Sequence, residues 1–557
     1  MCCDLLKNFQ DCFLIYLKSI TDMEAASVQN FQPRTFSIKL WPPSQSTRLM
    51  LVERMTKNLS TESIFSRKFG LLTFEEANQC AKQIEDTCFA TANEHFEREP
   101  DGDGTSAVQL YAKETSKLML EILKRGPRPK EENKESVPAA AAQSPKAVVF
   151  DISGGRRAFI DAEEAEELFN PLTKEGNLYN KIICSNRSFG TEAAQVVKPI
   201  LVSLKDQLTE VDISDFVAGR PEEEALEVMT IFSSALEGCV LRYLNLSDNA
   251  MGEKGVRAFG SLLKSQSRLE ELYLMNDGIS EEAARALVEL IPSTEMVKIL
   301  HFHNNMTGDE GAIAIAEILK QSPLLEDFRC SSTRVASDGG IALAEALESC
   351  SSLKKLDLRD NIFGVEAGIR LSTSFGKLNG ITELLLSYLN LEDEGAIAIS
   401  DALKESLPDL QVLEMAGNDI TVEAAASLSS CVASKQSLRK LVLSENELKD
   451  EGAVLIAKAL EEGHTELKEV DLSTNMIRRV GARSLARAVS TDKPGFVMLN
   501  INGNWISDEG IDEVKEILRE GVLGPLDEND VEGEEGEDDD PEEEDEGEEA
   551  RLQNLKV

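Results

Sequence analysis

The frame L-x-x-L-x-L recurs at intervals of 28 or 29 residues, starting at Leu241, Leu269, Val297, Leu325, Leu353, Ile381, Leu410, Leu438, Leu467 and Phe496. Two looser copies begin at Tyr179 and Leu208 and bring the array to about twelve units. A unit this short cannot bury its apolar face alone, so it must stack on its neighbours. The pattern is that of a leucine-rich repeat, with the L-x-L segment a short parallel strand and the rest a returning helix. After Asn305 the chain reads Thr307-Gly-Asp-Glu-Gly-Ala-Ile-Ala-Ile-Ala-Glu-Ile-Leu319, an acidic helix start. Its Ile313, Ile315 and Leu319, with small Ala between them, are expected to pack on the strand layer. Gly255, Gly311, Gly340, Gly395 and Gly452 recur at the same helix position.

Most units place Asn three residues after the last apolar position of the frame: Asn249, Asn305, Asn361, Asn418, Asn446, Asn475 and Asn504. Such an Asn stands where the chain leaves the strand and can satisfy backbone groups of adjacent turns, so these residues read as structural. Function is then sought where the ladder is broken. In the Leu269 unit Asp277 takes the Asn slot, and Asn276 before it is expected to be a surplus amide. In the Leu208 unit Phe216 takes the slot, and the next start comes 33 residues on. The added residues are expected to form a loop, Val217-Ala-Gly-Arg-Pro-Glu-Glu-Glu-Ala225, with Gly219 and Pro221 shaping the turn around Arg220. Arg220 either meets a partner or pairs with Glu222 to Glu224.

Outside the repeats, residues 1-35 read as an N-terminal extension, probed by an apolar run (Cys12 to Leu17) too short to span a bilayer. Residues 36-125 carry helical periodicity at Thr47 to Asn58, Phe74 to His95 and Ala107 to Leu123, and form a small all-helical module opened by Trp41-Pro42-Pro43. Pro100-Asp-Gly-Asp-Gly104 reads as a turn rather than a calcium loop, since the later ligands are missing. Residues 126-146 are a Pro-, Ala-, Lys- and Glu-rich linker. Residues 147-525 form the repeat domain, capped by Asp151 to Phe169, and residues 526-557 an acidic tail too poor in apolar residues to fold. Seventeen acids between Asp527 and Glu549 supply less than half of the net charge of −42. That balance argues against nucleic acid and anionic membrane as partners and favours a basic protein.

The ten cysteines are scattered without C-x-x-C pairs, and read as reduced, half-buried residues. His301 and His303 are expected on the concave face as solvated side chains. No metal site, cofactor motif, nucleophile elbow or phosphate-binding loop is present in the pattern.

Taken with the residues above, the chain resembles the Ran GTPase-activating proteins in their plant form, in which a WPP domain precedes the repeats. The motifs that carry the resemblance are Lys39-Leu-Trp-Pro-Pro43, Asp215-Phe-Val-Ala-Gly-Arg220, Leu272-Tyr-Leu-Met-Asn276 and the acidic C terminus. It implies an α/β solenoid, a ribonuclease-inhibitor-like horseshoe. It also implies stimulation of GTP hydrolysis by Ran at the cytoplasmic side of the nuclear envelope, which maintains the Ran gradient for nucleocytoplasmic transport. Such a protein is an activator that supplies residues in trans to Ran bound to GTP, without a self-contained active site or a cofactor. By the same resemblance Asn276 orients the catalytic glutamine of Ran, Arg220 is the loop arginine, and Asp360 and Asn249 are further candidates on that edge. Fungal members carry Lys two positions after that Arg, where this chain has Glu222. The WPP domain implies docking through Trp41, Pro42 and Pro43 onto coiled-coil proteins of the nuclear envelope, and onto the cell plate in division, without membrane insertion. The alternative is a non-catalytic interaction scaffold or inhibitor of the ribonuclease-inhibitor type.

Overall fold

The computed structural model describes scattered positions between 48 and 72 and residues 74–98, 105–125, 148–154, 158–491 and 493–529. The tripeptide Trp41-Pro42-Pro43, the N-terminal extension, the segment 100–104, the linker 126–146 and most of the acidic tail lie outside the described residues. The chain divides into two compact units, 1–142 and 143–557.

In the first unit the helices Phe74–Arg98 and Thr105–Arg125 pack together. Their shared core holds Ala77, Ala81, Ile84 and Cys88 against Val108, Tyr111 and Met119. Glu85 is buried in it, held by a bidentate Arg48 at 2.6 Å and by the Tyr111 hydroxyl at 2.9 Å. A charge in an apolar core is tolerated when paired and hydrogen-bonded in this way.

In the second unit thirteen short strands form one parallel sheet in which each later strand adds beside the one before it. Register is constant from repeat to repeat: Glu271 faces Ile299, and Ile299 faces Asp327. The frame leucines, Leu272, Leu274 and Leu300 among them, are fully buried between sheet and helices. The first strand, Val149–Asp151, pairs with Lys181–Ile183, so the cap is itself a strand-and-helix unit continuing the sheet. A second small sheet joins Ala158–Ile160 to Arg187–Phe189.

Helix phase departs from the sequence expectation in one respect. In the helix Gly308–Lys320 the buried face is Ala312, Ile315, Ala316, Ile318 and Leu319, and Ile313 is exposed. Gly311 explains the recurrent glycine, since a Cβ there would lie 2.8 Å from Thr307 Cβ and 3.4 Å from the Glu281 backbone. The Thr307 side chain at the start of the same helix leaves no room for a Cβ there, while the neighbouring helix lies at van der Waals contact.

The ladder is continuous through most of the array. Asn305 Oδ1 accepts the N–H groups of Asp277 and Ile279 at 3.0 and 2.9 Å, and Nδ2 donates to the carbonyls of Leu274 and Phe302. One amide thus ties two repeats together. Phe216 breaks the ladder for a packing reason. It joins a spine of buried rings, 6.4 Å from Phe189, 5.0 Å from Phe232 and 6.1 Å from Phe259, which holds the first repeats by apolar contact. The seven described cysteines are free and fully buried rather than half-buried. Burial pushes the Cys330 thiol up to about 11 and the Cys350 thiol up to about 12, so both are inert.

Candidate functional site

In every repeat the residue preceding the ladder position leaves the strand with positive φ. These exit residues are Asn186, Asp215, Asp248, Asn276, Asn304, Ser332, Asp360, Tyr388, Gly417, Glu445, Thr474 and Gly503. The left-handed conformation turns the chain from the sheet toward the helix layer, and Asn, Asp and Gly tolerate it best. Side chains at this position line one rim of the sheet, one per strand, at a spacing of roughly 4.8 Å.

Asn276 belongs to this row, with φ +54°, and is exposed. On sequence it reads as an amide left over beside Asp277. In the structure it fills a position that each repeat possesses, and its amide is engaged on both sides. Nδ2 donates to Asp248 Oδ1 at 2.9 Å, and Oδ1 accepts from Asn304 Nδ2 at 3.0 Å. The two neighbours fix which way the amide faces and leave it one N–H and one lone pair. Asp248 and Asn304 escaped the sequence reading. Their offset, the same as that of Asn276 in adjacent repeats, was the signal that could have found them.

Asp360 lies on the same rim three strands further along and accepts from Ser332 Oγ at 3.1 Å. Asn249 is different. It is a buried rung whose Nδ2 donates to the carbonyls of Ile213, Leu246 and Ser247 and whose Oδ1 accepts from Phe216 N–H, which leaves no amide for a partner.

Arg220 follows the strand Glu210–Asp212, two strands before that of Asn276. Its loop is shorter than the sequence suggests, because the helix Glu222–Leu236 begins directly after Pro221. The side chain is folded back on the cap. Nε donates to Ser188 Oγ at 3.1 Å, Nη2 to the Ser188 carbonyl at 2.8 Å and Nη1 to Glu224 Oε1 at 3.3 Å. The guanidinium also stacks 4.8 Å over the ring of Phe159, which is 60% exposed. Of the two sequence alternatives, pairing within the Glu222 to Glu224 run is the one this structure displays.

The concave face beside Asn276 carries Tyr243, Tyr273, His301 and His303 in succession, with ring centroids 5.0 to 6.0 Å apart. His301 is buried rather than solvated, with Nε2 3.1 Å from Asp327 Oδ1. Burial alone would raise the Asp327 carboxyl. Hydrogen bonds from His301 and Arg329 outweigh it and hold the group down at about 2. Burial lowers the pKa of His303, and His301 beside it adds to the effect. Among the described residues no group of three His, Cys, Asp or Glu is arranged to hold a metal ion. What this rim offers chemically is a row of clamped polar side chains able to bind and orient.

Solenoid, rim and helical module together define a leucine-rich-repeat protein with an N-terminal WPP domain. The WPP domain model matches residues 37–133, and the leucine-rich-repeat model matches residues 239–260, 434–457 and 498–514. RAN GTPase-activating protein 2 of Arabidopsis thaliana is 65% identical over 512 residues, covering 92% of this chain and 94% of that protein. RAN GTPase-activating protein 1 of the same plant is 64% identical over 511 residues, covering 91% and 94%. MFP1 attachment factor 1 of Solanum lycopersicum is 37% identical over 112 residues, 20% of this chain and 66% of its own. The chain belongs to the Ran GTPase-activating proteins.

Proposed function

We propose that this chain accelerates hydrolysis of GTP by Ran, that the exit rim around Asn276 meets the GTPase, and that the WPP domain holds the protein at the nuclear envelope. The first part is supported by likeness to two Ran GTPase-activating proteins over nine tenths of the chain.

Small GTPases hydrolyse GTP through a water oriented by their own glutamine, and a partner gains rate by fixing that side chain. An amide is matched to an amide. The free N–H of Asn276 can donate to the glutamine carbonyl oxygen while its free Oδ1 lone pair accepts from the glutamine NH₂. Because Asp248 and Asn304 already hold Asn276, little ordering is left for the moment of contact. Arg220, tied to Ser188 and Glu224, positions the loop after Asp215 on the rim. Asp360 adds a carboxylate to the same row, three strands away.

The test is turnover. Substoichiometric chain mixed with excess Ran·GTP should release many phosphates per chain, and release of one or none would favour a non-catalytic scaffold. For targeting, the reading is a module of residues 36-125 on a linker of residues 126-146, docking on coiled-coil proteins of the cytoplasmic envelope face and, in division, on the cell plate. A fluorescent fusion of the full chain should mark the nuclear rim, and Trp41→Ala with Pro42→Ala should disperse it. A rim signal unchanged in that double variant would remove the tripeptide from the docking site.

A further inference from the structure

We propose that Asp277 is protonated in the folded chain and, by donating its carboxyl O–H within the rung ladder, acts as a positioning residue for Asn276. The inference rests on the reading of Asn276 given above.

The polar rungs share one property. Asn249, Asn305, Asn361, Asn418, Asn446, Asn475 and Asn504 each donate Nδ2 to the carbonyl three residues back and to one in the preceding repeat, or to one of these with a nearer carbonyl. Thr333, the rung of its repeat, donates Oγ1 to the Cys330 carbonyl at 2.9 Å, so a hydroxyl serves in this slot as well. Asp277 is the exception. Its Oδ1 accepts the Asn249 N–H at 2.9 Å, as a rung oxygen should. Its Oδ2 takes the place of the donating group, is completely buried and has no hydrogen-bond partner. By the spacing of the other rungs it faces the carbonyls of Leu274 and Leu246.

An ionised carboxylate there would set a negative oxygen against carbonyl dipoles in a fully buried site, an arrangement that costs far more than a missing bond. A proton on Oδ2 turns the clash into an O–H donor of the kind Thr333 supplies. Surrounding charges do not favour ionisation. Burial pushes the Asp277 carboxyl well up, the Asn249 N–H that it accepts pulls it part of the way back, and Asp248 on the preceding exit turn raises it again. Glu281 and Glu282 on the following helix are held by Arg285 and Ser280. Glu253 and Lys254 on the preceding helix are paired with Arg257 and Glu222. Half-buried His303, its pKa lowered, brings no compensating cation. The consequence reaches Asn276 through the backbone, because the two residues are adjacent and the left-handed turn of one delivers the rung of the other.

Two measurements test this on the full chain. The first is urea unfolding of wild type and Asp277→Asn from about pH 5 to pH 8. A carboxyl protonated when folded and ionised when unfolded makes the ratio of their folding constants change about tenfold per pH unit, against wild type as pH rises. A ratio independent of pH would overturn the protonation. The second is single-turnover hydrolysis by Ran at saturating chain. Asp277→Val, with no donor, should lower kcat about tenfold or more with Ran·GTP affinity nearly kept, and Asp277→Asn and Asp277→Thr should rescue it. If Asp277→Val does not fold, failure of Asp277→Thr to rescue overturns the positioning role, as does a wild-type kcat for Asp277→Val. If Asn276→Gly itself turns over normally, the reading of the rim fails and the positioning role with it, while the unfolding ratio still decides the proton.

Discussion

Replacing Asn276 by glycine separates orientation from bracing more cleanly than replacing it by alanine. The residue sits at φ +54° with two side-chain hydrogen bonds on an exposed rim. Each such bond contributes about 0.5–1.5 kcal/mol net, and exposure places these at the low end. Alanine would add the left-handed penalty of roughly 1–2 kcal/mol, which glycine does not carry. Asn276→Gly should therefore lose about 1–2 kcal/mol of stability, and Asn276→Ala about 1 kcal/mol more. Catalysis divides differently. If the amide orients the glutamine of Ran only in the transition state, both variants lose it equally, and kcat should fall about 10²-fold or more, near 2.7 kcal/mol. Single-turnover hydrolysis with the chain in saturating excess removes binding from the comparison. Equal kcat losses with unequal melting temperatures are the expected result. A near-wild-type kcat for Asn276→Gly, or a kcat loss that follows stability, would refute the reasoning and turn attention to Asp360.

Arg220→Ala frees the loop from Ser188 and Glu224, so affinity for Ran·GTP should weaken about tenfold, or 1.4 kcal/mol, with a smaller loss in kcat; titration of chain against rate separates the two. Asn305→Ala leaves four buried backbone groups without partners and should cost about 3 kcal/mol or more, read as a lower urea midpoint. Removing the tail after Asp527 should slow association most at low salt, because a run of like charge steers a basic surface. An unchanged salt dependence of the on-rate would leave the tail no part in steering.

The solenoid was legible because its period is written in the frame leucines, and the ladder because Asn recurs at one offset. The exit rim was not, since Asp, Asn, Ser, Tyr, Glu, Thr and Gly all occupy it and only the backbone conformation unites them. Asn276 was singled out on sequence, but the hydrogen bonds that hold its amide were not. Asp248 and Asn304 lie 28 residues away on either side and become neighbours only when the strands align. The same holds for His301, whose Asp327 partner is brought to it by the register of the sheet. Arg220 illustrates a different limit, because the carbonyl and hydroxyl that fold it back belong to Ser188, in the preceding repeat. Ile313 was misplaced because alternating Ile and Ala fit two helix phases equally well.

Leu389 stands in the rung position of its repeat and can neither donate nor accept through its side chain. The Leu358 carbonyl keeps the amide of Asn361, and the Leu386 carbonyl that of Asn418, so each has one rung donor where the Cys330 and Leu443 carbonyls have two. Asn361 N–H donates to the Tyr388 carbonyl at 3.1 Å, as Asn305 N–H does to that of Ser332 and Asn446 N–H to that of Thr474. Strand pairing and helix contact remain across this junction, but no side-chain stitch crosses it from Leu389. In a linear array, where each unit is held by its neighbours, such a junction is a fracture line. Under thermal or mechanical load the array should part there into two blocks. The block that ends at Asn361 carries Arg220, Asn276 and Asp360 and would outlast the separation, keeping the proximal part of the rim together while the distal repeats open.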